Sequence, residues 1–509
     1  MIAKISSSAI MGIDAYPVDV EVDISSGLAR FDIVGLPDAA VNEAKERVRA
    51  AINNSGYAFP LKKITVNLAP ADTKKVGPLF DLPIALGILA ASGQLPAEET
   101  QGVRIVGELS LDGKVRSISG VLPMAIRAKS DQIEGVVIPY PNRAEASLVE
   151  GVPVYSYLSL KEVASAFDGF TKRIPYKPNG DIKSALEESY DVDMCEVRGQ
   201  ESAKRALEVA AAGNHNVLMI GPPGSGKSML AKRLPTILPK LDFDEALEIT
   251  KIHSIMGMVH DGEGLISRRP FRSPHHTISP AGLAGGGSFP TPGEVSLAHN
   301  GVLFLDELTE FKGGVLEVMR QPLEDGKVTI ARAAMTLTFP AVFMLVAATN
   351  PCPCGYYGDL LKECGCSAPR IKQYMQRISG PLLDRIDIHI NVPRVEYQKL
   401  KHVTEGETST KIREEVNKAR ERQRARFKGR RIFSNSQMRE REIREFCKIP
   451  DEAQALLKHA IDSMGMSARA YNRIFKISRT IADLAGSDEI KTAHIAEAIH
   501  YRTLDRDMV

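Results

Sequence analysis

The chain has 509 residues, enough for two to four domains, and its 65 Lys+Arg against 63 Asp+Glu leave a formal net charge of +2. That balance excludes a global basic surface, so any surface for nucleic acid must be local. Hydrophobic residues at 43% and charged residues at 25% suit soluble globular domains, no run approaches the roughly 18 apolar residues that cross a bilayer, and six cysteines do not make a disulfide scaffold.

The N-terminus, MIAKISSSAIMGIDAYPVDVEVDI, carries one Lys and then alternates like a strand. It lacks a signal-peptide core, which predicts a cytoplasmic protein with no membrane partner. VDVEVDI (18–24) alternates as a half-buried strand does. VNEAKERVRAAINNSG (41–56) places Val41, Ala44, Val48 and Ala51 on one helical face, with Gly56 as its stop. KITVNLAPAD (63–72) reads as strand then turn, and DLPIALGILAASGQLP (81–96) as a buried helix. VRIVGELSLDGKVRSI (103–118) predicts a hairpin turning at Asp112-Gly113. Residues 1–170 thus predict an α+β domain, and the Pro- and charge-rich stretch 171–190 a linker.

Residues 191–395 carry nucleotide chemistry. NVLMIGPPGSGKSML puts an apolar run, Val217 to Ile220, directly before G-x-x-x-x-G-K-S, and a helix-compatible stretch follows. This is the strand–loop–helix context of a P-loop. Gly221, Pro222, Pro223, Gly224, Ser225 and Gly226 would cradle phosphate with backbone N–H groups. Lys227 would reach the β- and γ-phosphates, and Ser228 would hold Mg²⁺. In GVLFLDEL (301–308) four apolar residues end in Asp306 and Glu307. Acids at the C-terminal end of a parallel strand lie where α/β sheets bind ligands, so Asp306 suits Mg²⁺ and Glu307 suits deprotonating a water. VFMLVAATN (342–350) ends in Asn350, a residue able to position that water. Arg385 in SGPLLDRIDIHINV either pairs with Asp384 or Asp387 or reaches a neighbouring subunit's γ-phosphate. Arg469, Arg473 and Arg479 sit on helical sequence within 463–486.

NPCPCGYYGDLLKECGCS holds Cys352, Cys354, Cys364 and Cys366 within 15 residues. Four thiolates can satisfy tetrahedral Zn²⁺, although C-x-C is tighter than the usual spacing; the alternative is four reduced thiols on a loop. Segment 411–431 contains ten Lys/Arg and three Glu, a net +7. It reads as a solvated connecting helix with Glu/Arg pairs or as a DNA-backbone contact; with Phe427 its one aromatic residue, base stacking is poorly supported. Residues 396–445 form a basic connecting segment, and 446–509 read as three or four helices of a small all-α unit.

The order of these motifs resembles an AAA+ ATPase, and within that class the magnesium-chelatase-related branch and the ComM/YifB family of bacterial proteins. FRSPHHTISPAGLAGGG, PGEVSLAHNGVLFLDEL, RQPLEDGKVTIARA, VAATNPCPCGYYGD and GPLLDRID carry the likeness, which covers essentially the whole chain. It implies a multidomain fold: an α+β Lon-like N-terminal domain, an α/β AAA+ P-loop core and a small all-α C-terminal lid. It also implies Lys227 and Ser228 as Walker A, Asp306 and Glu307 as Walker B, Asn350 as sensor 1, Arg385 as arginine finger and Arg469 as sensor 2. Pore elements are implied at 282–294, a Gly/Pro-rich stretch expected to be mobile, and at a hairpin over 324–340, with Lys327 and Arg332 near its tip facing DNA. The implied protein is a homo-hexameric, ATP- and Mg²⁺-dependent motor acting on single-stranded and branched DNA in recombination and natural transformation, with recombination proteins as possible partners. Two rivals stand beside it. One is a chelatase-type remodeller of a protein partner. The other is an ATP-dependent protease, opposed by Leu79 standing where the serine would be and by the lack of Lys in GVLPM (120–124).

Overall fold

The computed structural model describes residues 2–178, 190–332, 335–359, 361–395, 406–464 and 468–502. They form two compact units, Met1–Glu187 with Phe243–Ser267 and Glu188–Asp242 with Arg268–Val509. Most of the expected linker, 179–189, lies outside the described residues, as does 396–405 of the basic connecting segment.

In the first unit β1 (Ile2–Met11), β2 (Asp14–Ser25), β3 (Arg30–Val34) and β4 (Lys63–Ala69) form a sheet ordered β1-β2-β4-β3. The β1–β2 and β2–β4 pairs are antiparallel and β3–β4 is parallel. Alternation in β2 buries Val18, Val20 and Val22 fully and leaves Asp19 and Glu21 half-buried, as one core-facing surface requires. Helix Ala39–Asn54 begins at Asp38, whose carboxylate accepts from the Val41 N–H at 2.8 Å. It buries the four expected apolar positions plus Ile52. Helix Asp81–Ala91 is buried at every position, and the Asp81 carboxylate is met by Arg47 Nε at 2.6 Å.

The 103–118 stretch, expected as one hairpin, divides. β5 (Val103–Ile105) precedes the short antiparallel pair β6 (Glu108–Leu109) and β7 (Val115–Arg116), which turns across Asp112-Gly113. β5 instead pairs in parallel with β8 (Gly135–Pro139), which pairs in parallel with β9 (Val154–Tyr157). Val103, Arg104 and Ile105 are all buried, which suits a covered parallel strand better than a half-exposed hairpin arm.

Phe243–Ser267 correct the expectation of a core running unbroken over 191–395. Helix Phe243–Ile255 packs against helix Val121–Ser130, and Leu247 and Leu265 join the first unit's core. Glu145 ties the insertion down. It accepts from the Leu122 N–H at 2.9 Å and from the Ser254 hydroxyl, while the Gly120 N–H donates to the Ser254 carbonyl at 2.9 Å. Burial raises the Glu145 pKa above the ordinary carboxylate range.

The second unit carries β10 (Val217–Ile220), β11 (Phe271–Arg272), the short pair β12 (Gly285–Gly286) and β13 (Thr291–Pro292), β14 (Val302–Leu305), the hairpin β15 (Lys327–Arg332) and β16 (Met335–Pro340), β17 (Met344–Thr349) and β18 (Ile388–Asn391). Five form a sheet ordered β11-β14-β17-β10-β18, and every pairing in it is parallel. β10, β14 and β17 are buried throughout, which is why they read as unbroken apolar runs. Stretch 282–294, expected as a mobile loop, holds the end of helix Pro280–Ala284, the β12–β13 pair and the start of helix Glu294–Leu297. Lys327 is not near the tip of the hairpin: it pairs with Pro340 at the base, whereas Arg332 pairs with Met335 next to the turn. Four paired residues intervene, so the two positions are roughly 16 Å apart along the strand.

Helix Ser409–Arg426 buries Ile412, Val416, Ala419 and Gln423 and packs against helices Glu201–Gly213 and Ala468–Leu484. Its cations hold acids of the same unit: Arg426 pairs with Asp483, Arg422 with Asp488 at 3.0 Å and Arg424 with Asp242 at 3.7 Å. Helices Asp451–Met464, Ala468–Leu484 and Thr492–His500 complete the α-helical end among the described residues.

Glu145→Ala is expected to cost about 1–3 kcal/mol in denaturant unfolding of the first unit, because it strands the Leu122 N–H and the Ser254 hydroxyl. Glu145→Gln keeps an acceptor and should cost less. The wild-type carboxyl has a raised folded pKa, so its contribution is full below its unfolded pKa and is lost as pH rises through the folded value. Wild type should therefore lose ground to Glu145→Gln between acid and neutral pH; a difference constant with pH refutes the buried-carboxyl account.

Candidate active site

The C-terminal ends of β10, β14 and β17 deliver three loops to one sheet edge. Ile220 is in register with Thr349, and Leu305 with Ala347, so residues 221–228, 306–307 and 350 emerge side by side. Gly221 is required where the P-loop begins: a Cβ there would lie 2.1 Å from the Val392 carbonyl oxygen. Gly224 and Gly226 take φ of 76° and 95°, turning the loop into helix Lys227–Arg233.

Lys227 is buried and folds back on this loop. Its Nζ donates to the carbonyls of Gly221 at 2.7 Å and Pro222 at 3.0 Å, and lies 3.4 Å from Asn350 Oδ1. Burial lowers its pKa below that of an ordinary lysine, while Asp306 and Glu307 act in the opposite sense. The Ser228 hydroxyl donates to Asp306 Oδ2 at 2.7 Å. The other Asp306 oxygen, Oδ1, accepts from the Glu307 N–H at 3.0 Å. Glu307 sits in left-handed backbone, φ 53°, and its carboxylate points toward His276, whose Nδ1 is 3.4 Å from Oε2. Ser225 Oγ is buried, and among the described residues it has no hydrogen-bond partner. A buried lysine, an orphaned hydroxyl and a serine beside a carboxylate fit a Mg²⁺-bound polyphosphate: Ser228 and Asp306 would take the ion, and Lys227 the phosphate oxygens.

Three supporting groups escaped the sequence reading. Gln200, in left-handed backbone, donates through Nε2 to the Ser225 carbonyl at 3.1 Å and the Pro393 carbonyl at 2.5 Å, strapping the P-loop to the end of β18. Thr309 donates to the Tyr374 hydroxyl at 2.6 Å and lies 3.2 Å from Thr349 Oγ1, which fixes the segment after Glu307 to the end of β17, next to Asn350. His276 lies in the quoted FRSPHHT stretch but carries no spacing signal that joins it to Glu307. Only the parallel pairing of β11 with β14 brings the two together.

The arginines gather elsewhere. Arg385 pairs with Glu324, not with Asp384 or Asp387, and donates to the Pro381 carbonyl at 2.5 Å. Asp384 instead meets Arg469 at 3.1 Å, and Asp387 meets Arg473 at 3.2 Å and His215 at 3.1 Å. Burial works against charge on Asp387, yet the His215 hydrogen bond and the Arg473 cation hold its carboxyl far below the usual range. Arg385, Arg469 and Arg473 line one cavity of about 500 Å³ whose lining includes no P-loop residue. Arg479 is buried against Asp483. The four cluster cysteines converge: their sulfurs all lie within 4.8 Å of one another, so they can hold one metal ion. Leu79 is buried in a short helical turn, with no nucleophile in its place.

A P-loop after β10 of a parallel sheet, an acidic pair after β14 and a polar residue after β17, the strand between those two, define a P-loop ATPase of the AAA+ class. Models for "magnesium chelatase, subunit ChlI" match residues 193–400, for "subunit ChlI of Mg-chelatase" 20–142, and for its C-terminal part 406–502. Competence protein ComM of Haemophilus influenzae is 44% identical over 508 residues, 99% of this chain and 98% of that protein. YifB of Escherichia coli K12 is 43% identical over 99% of this chain and 98% of its own length. Lon protease 2 of Bacillus subtilis is 34% identical over 145 residues, 27% of this chain and 26% of the protease. The chain belongs to the magnesium-chelatase-like ComM/YifB family.

Lys227→Met removes a desolvated charge as well as the phosphate ligand. It is expected to leave the melting temperature of the nucleotide-free protein equal or higher, and to abolish the rise that ATP and Mg²⁺ produce in wild type. A preserved ATP-dependent rise would place the nucleotide elsewhere.

Proposed function

We propose that this protein is an ATP-hydrolysing motor that works as a ring of identical subunits, a hexamer, on single-stranded or branched DNA, with helicase or branch-migration activity in recombination of incoming DNA. The observation that carries the ATPase part is the convergence of Lys227, Ser228–Asp306 and Asn350 on one sheet edge. Ser228 and Asp306 would hold a Mg²⁺ there, which would supply positive charge against the phosphates. Lys227 holds the phosphates. Glu307 swings from His276 to take the proton of the attacking water, and Asn350 orients that water.

The placement of the arginines supports the ring reading. Arg385, Arg469 and Arg473 share a cavity without P-loop residues, so their positive charge serves a γ-phosphate best on the adjoining subunit. The DNA part is supported by a relative whose name states a role in competence and by Arg332 beside the turn of β15–β16, exposed and suited to a phosphate backbone.

The deciding measurement is the ATPase rate with and without single-stranded and forked DNA. Strong stimulation by DNA is expected. Indifference to DNA with stimulation by a protein partner would favour a chelatase-type remodeller. Glu307→Gln should bind ATP but turn over about 10²–10⁴-fold more slowly. Arg385→Ala should bind ATP and hydrolyse it at least about 10³-fold more slowly. Mixing it with Lys227→Ala should restore part of the activity at interfaces that pair an intact P-loop with an intact arginine, and a complete lack of rescue rejects the shared site.

A further inference from the structure

We propose that Cys352, Cys354, Cys364 and Cys366 bind a single Zn²⁺ and that this metal braces the P-loop and Asn350 from behind. The sulfur positions define the site. Cys352 Sγ is 3.3 Å from Cys354 Sγ and 3.7 Å from Cys364 Sγ, and Cys354 Sγ is 3.5 Å from Cys364 Sγ. All four fall within 4.8 Å of one another. A tetrahedral ion with Zn–S bonds of about 2.3 Å needs S···S edges of about 3.8 Å, which these separations approach. A disulfide needs about 2.05 Å and pairs sulfurs two by two. An iron–sulfur cluster hangs its thiolates on separate irons and needs a wider spread than this array gives. Four sulfurs around one point therefore select a single soft-ligand ion.

The surroundings suit thiolates. The Cys366 N–H donates to Cys364 Sγ at 3.4 Å. Four thiolates around one dication leave a charge of −2; Lys362 is a cation in the same loop, and Arg394, which pairs with Asp359 at 3.1 Å, lies near it. Lys362 Nζ lies 4.0 Å and the Arg394 guanidinium 5.6 Å from the centre of the Tyr356 ring, two residues beyond Cys354. Cys352 is buried, and the other three are half-buried.

The loop touches the nucleotide site at its first turn. Asn350 is two residues before Cys352, and Gly355 follows Cys354 with φ +85°. A Cβ on Gly355 would lie 2.7 Å from Pro223 Cδ and 3.9 Å from Asn350 Cγ, so the turn held by the metal rests directly on the phosphate loop. Metal binding thus fixes both the residue that orients water and the back of the P-loop. This second clause rests on the ATPase reading; the metal site does not.

The test uses the full-length protein. Elemental analysis after purification should give about one zinc per chain, and the zinc-depleted protein should take up one Co²⁺ with the visible absorption of a tetrahedral tetrathiolate. Cys354→Ser combined with Cys364→Ser should lose the metal, whereas Cys195→Ser should keep it. No zinc together with an octahedral cobalt spectrum, or disulfides among these four cysteines in the isolated protein, overturns the site. Metal-depleted wild type should hydrolyse ATP roughly 10–100-fold more slowly, the usual scale for losing an outer-shell support, and recover on adding Zn²⁺. Gly355→Ala should retain the zinc and still lose ATP affinity. Unchanged hydrolysis after depletion refutes the brace while leaving the site, and a wild type with zinc but no ATPase activity refutes the motor reading alone.

Discussion

Everything in the second unit depends on strand direction. Five strands run parallel, so their carboxyl ends share one edge, and three loops from three distant stretches meet there. An antiparallel β14 would send Asp306 to the opposite edge and break the Ser228–Asp306 hydrogen bond at 2.7 Å. Parallel pairing also buries both faces of β10, β14 and β17, so desolvation comes with the geometry. The lowered pKa of Lys227 follows: its ammonium has left water and is held by carbonyl dipoles that a phosphate can outbid.

Charged groups of this unit gather at two places, the sheet edge and the arginine cavity. Asp306 and Glu307 stand at the sheet edge beside one lysine, while Arg385, Arg469 and Arg473 line a cavity with Glu324, Asp384 and Asp387. Each arginine there already has a carboxylate: Glu324 for Arg385, Asp384 for Arg469 and Asp387 for Arg473. These pairs differ in commitment. The Arg469 side chain is 64% exposed, whereas that of Arg473 is 13% exposed and also donates to the Ile386 carbonyl at 3.0 Å. An exposed pair exchanges partners at little cost, and a buried one does not. Of the two, Arg469 holds the more exchangeable ion pair.

The P-loop and β14 were legible because their chemistry is local: a glycine pattern and an apolar run ending in two acids lie within a few residues of each other. The helix expected over 41–56 was legible for the same reason, since its apolar positions recur at helical spacing; it runs over Ala39–Asn54, two residues earlier, because Asp38 caps it. What escaped depends on pairing between remote segments. Nothing near Gln200 marks it as a strap on the P-loop, and His276 reaches Glu307 only through the β11–β14 register. Lys327, expected near the tip of the β15–β16 hairpin, lies at its base opposite Pro340, a register the sequence does not mark. In the structure Gly326, at φ 64°, ends helix Arg320–Asp325 and the strand begins after it.

The insertion at 243–267 was unreadable for a different reason. Its helix has ordinary apolar spacing, and periodicity says that a face is buried without saying against what. Ala246, Ile249 and Ile252 are buried, and Leu247 and Leu265 belong to the first unit's core. Among the described residues the chain therefore passes between the two units at 242–243 and 267–268. The first of the two insertion crossings follows the P-loop helix by nine residues, and the second precedes β11, the strand that carries His276 toward Glu307, by three. A module joined by one linker can be removed without disturbing its neighbour. One whose core includes a segment from between the P-loop and β14 cannot, because removing it uncovers Leu247 and Leu265.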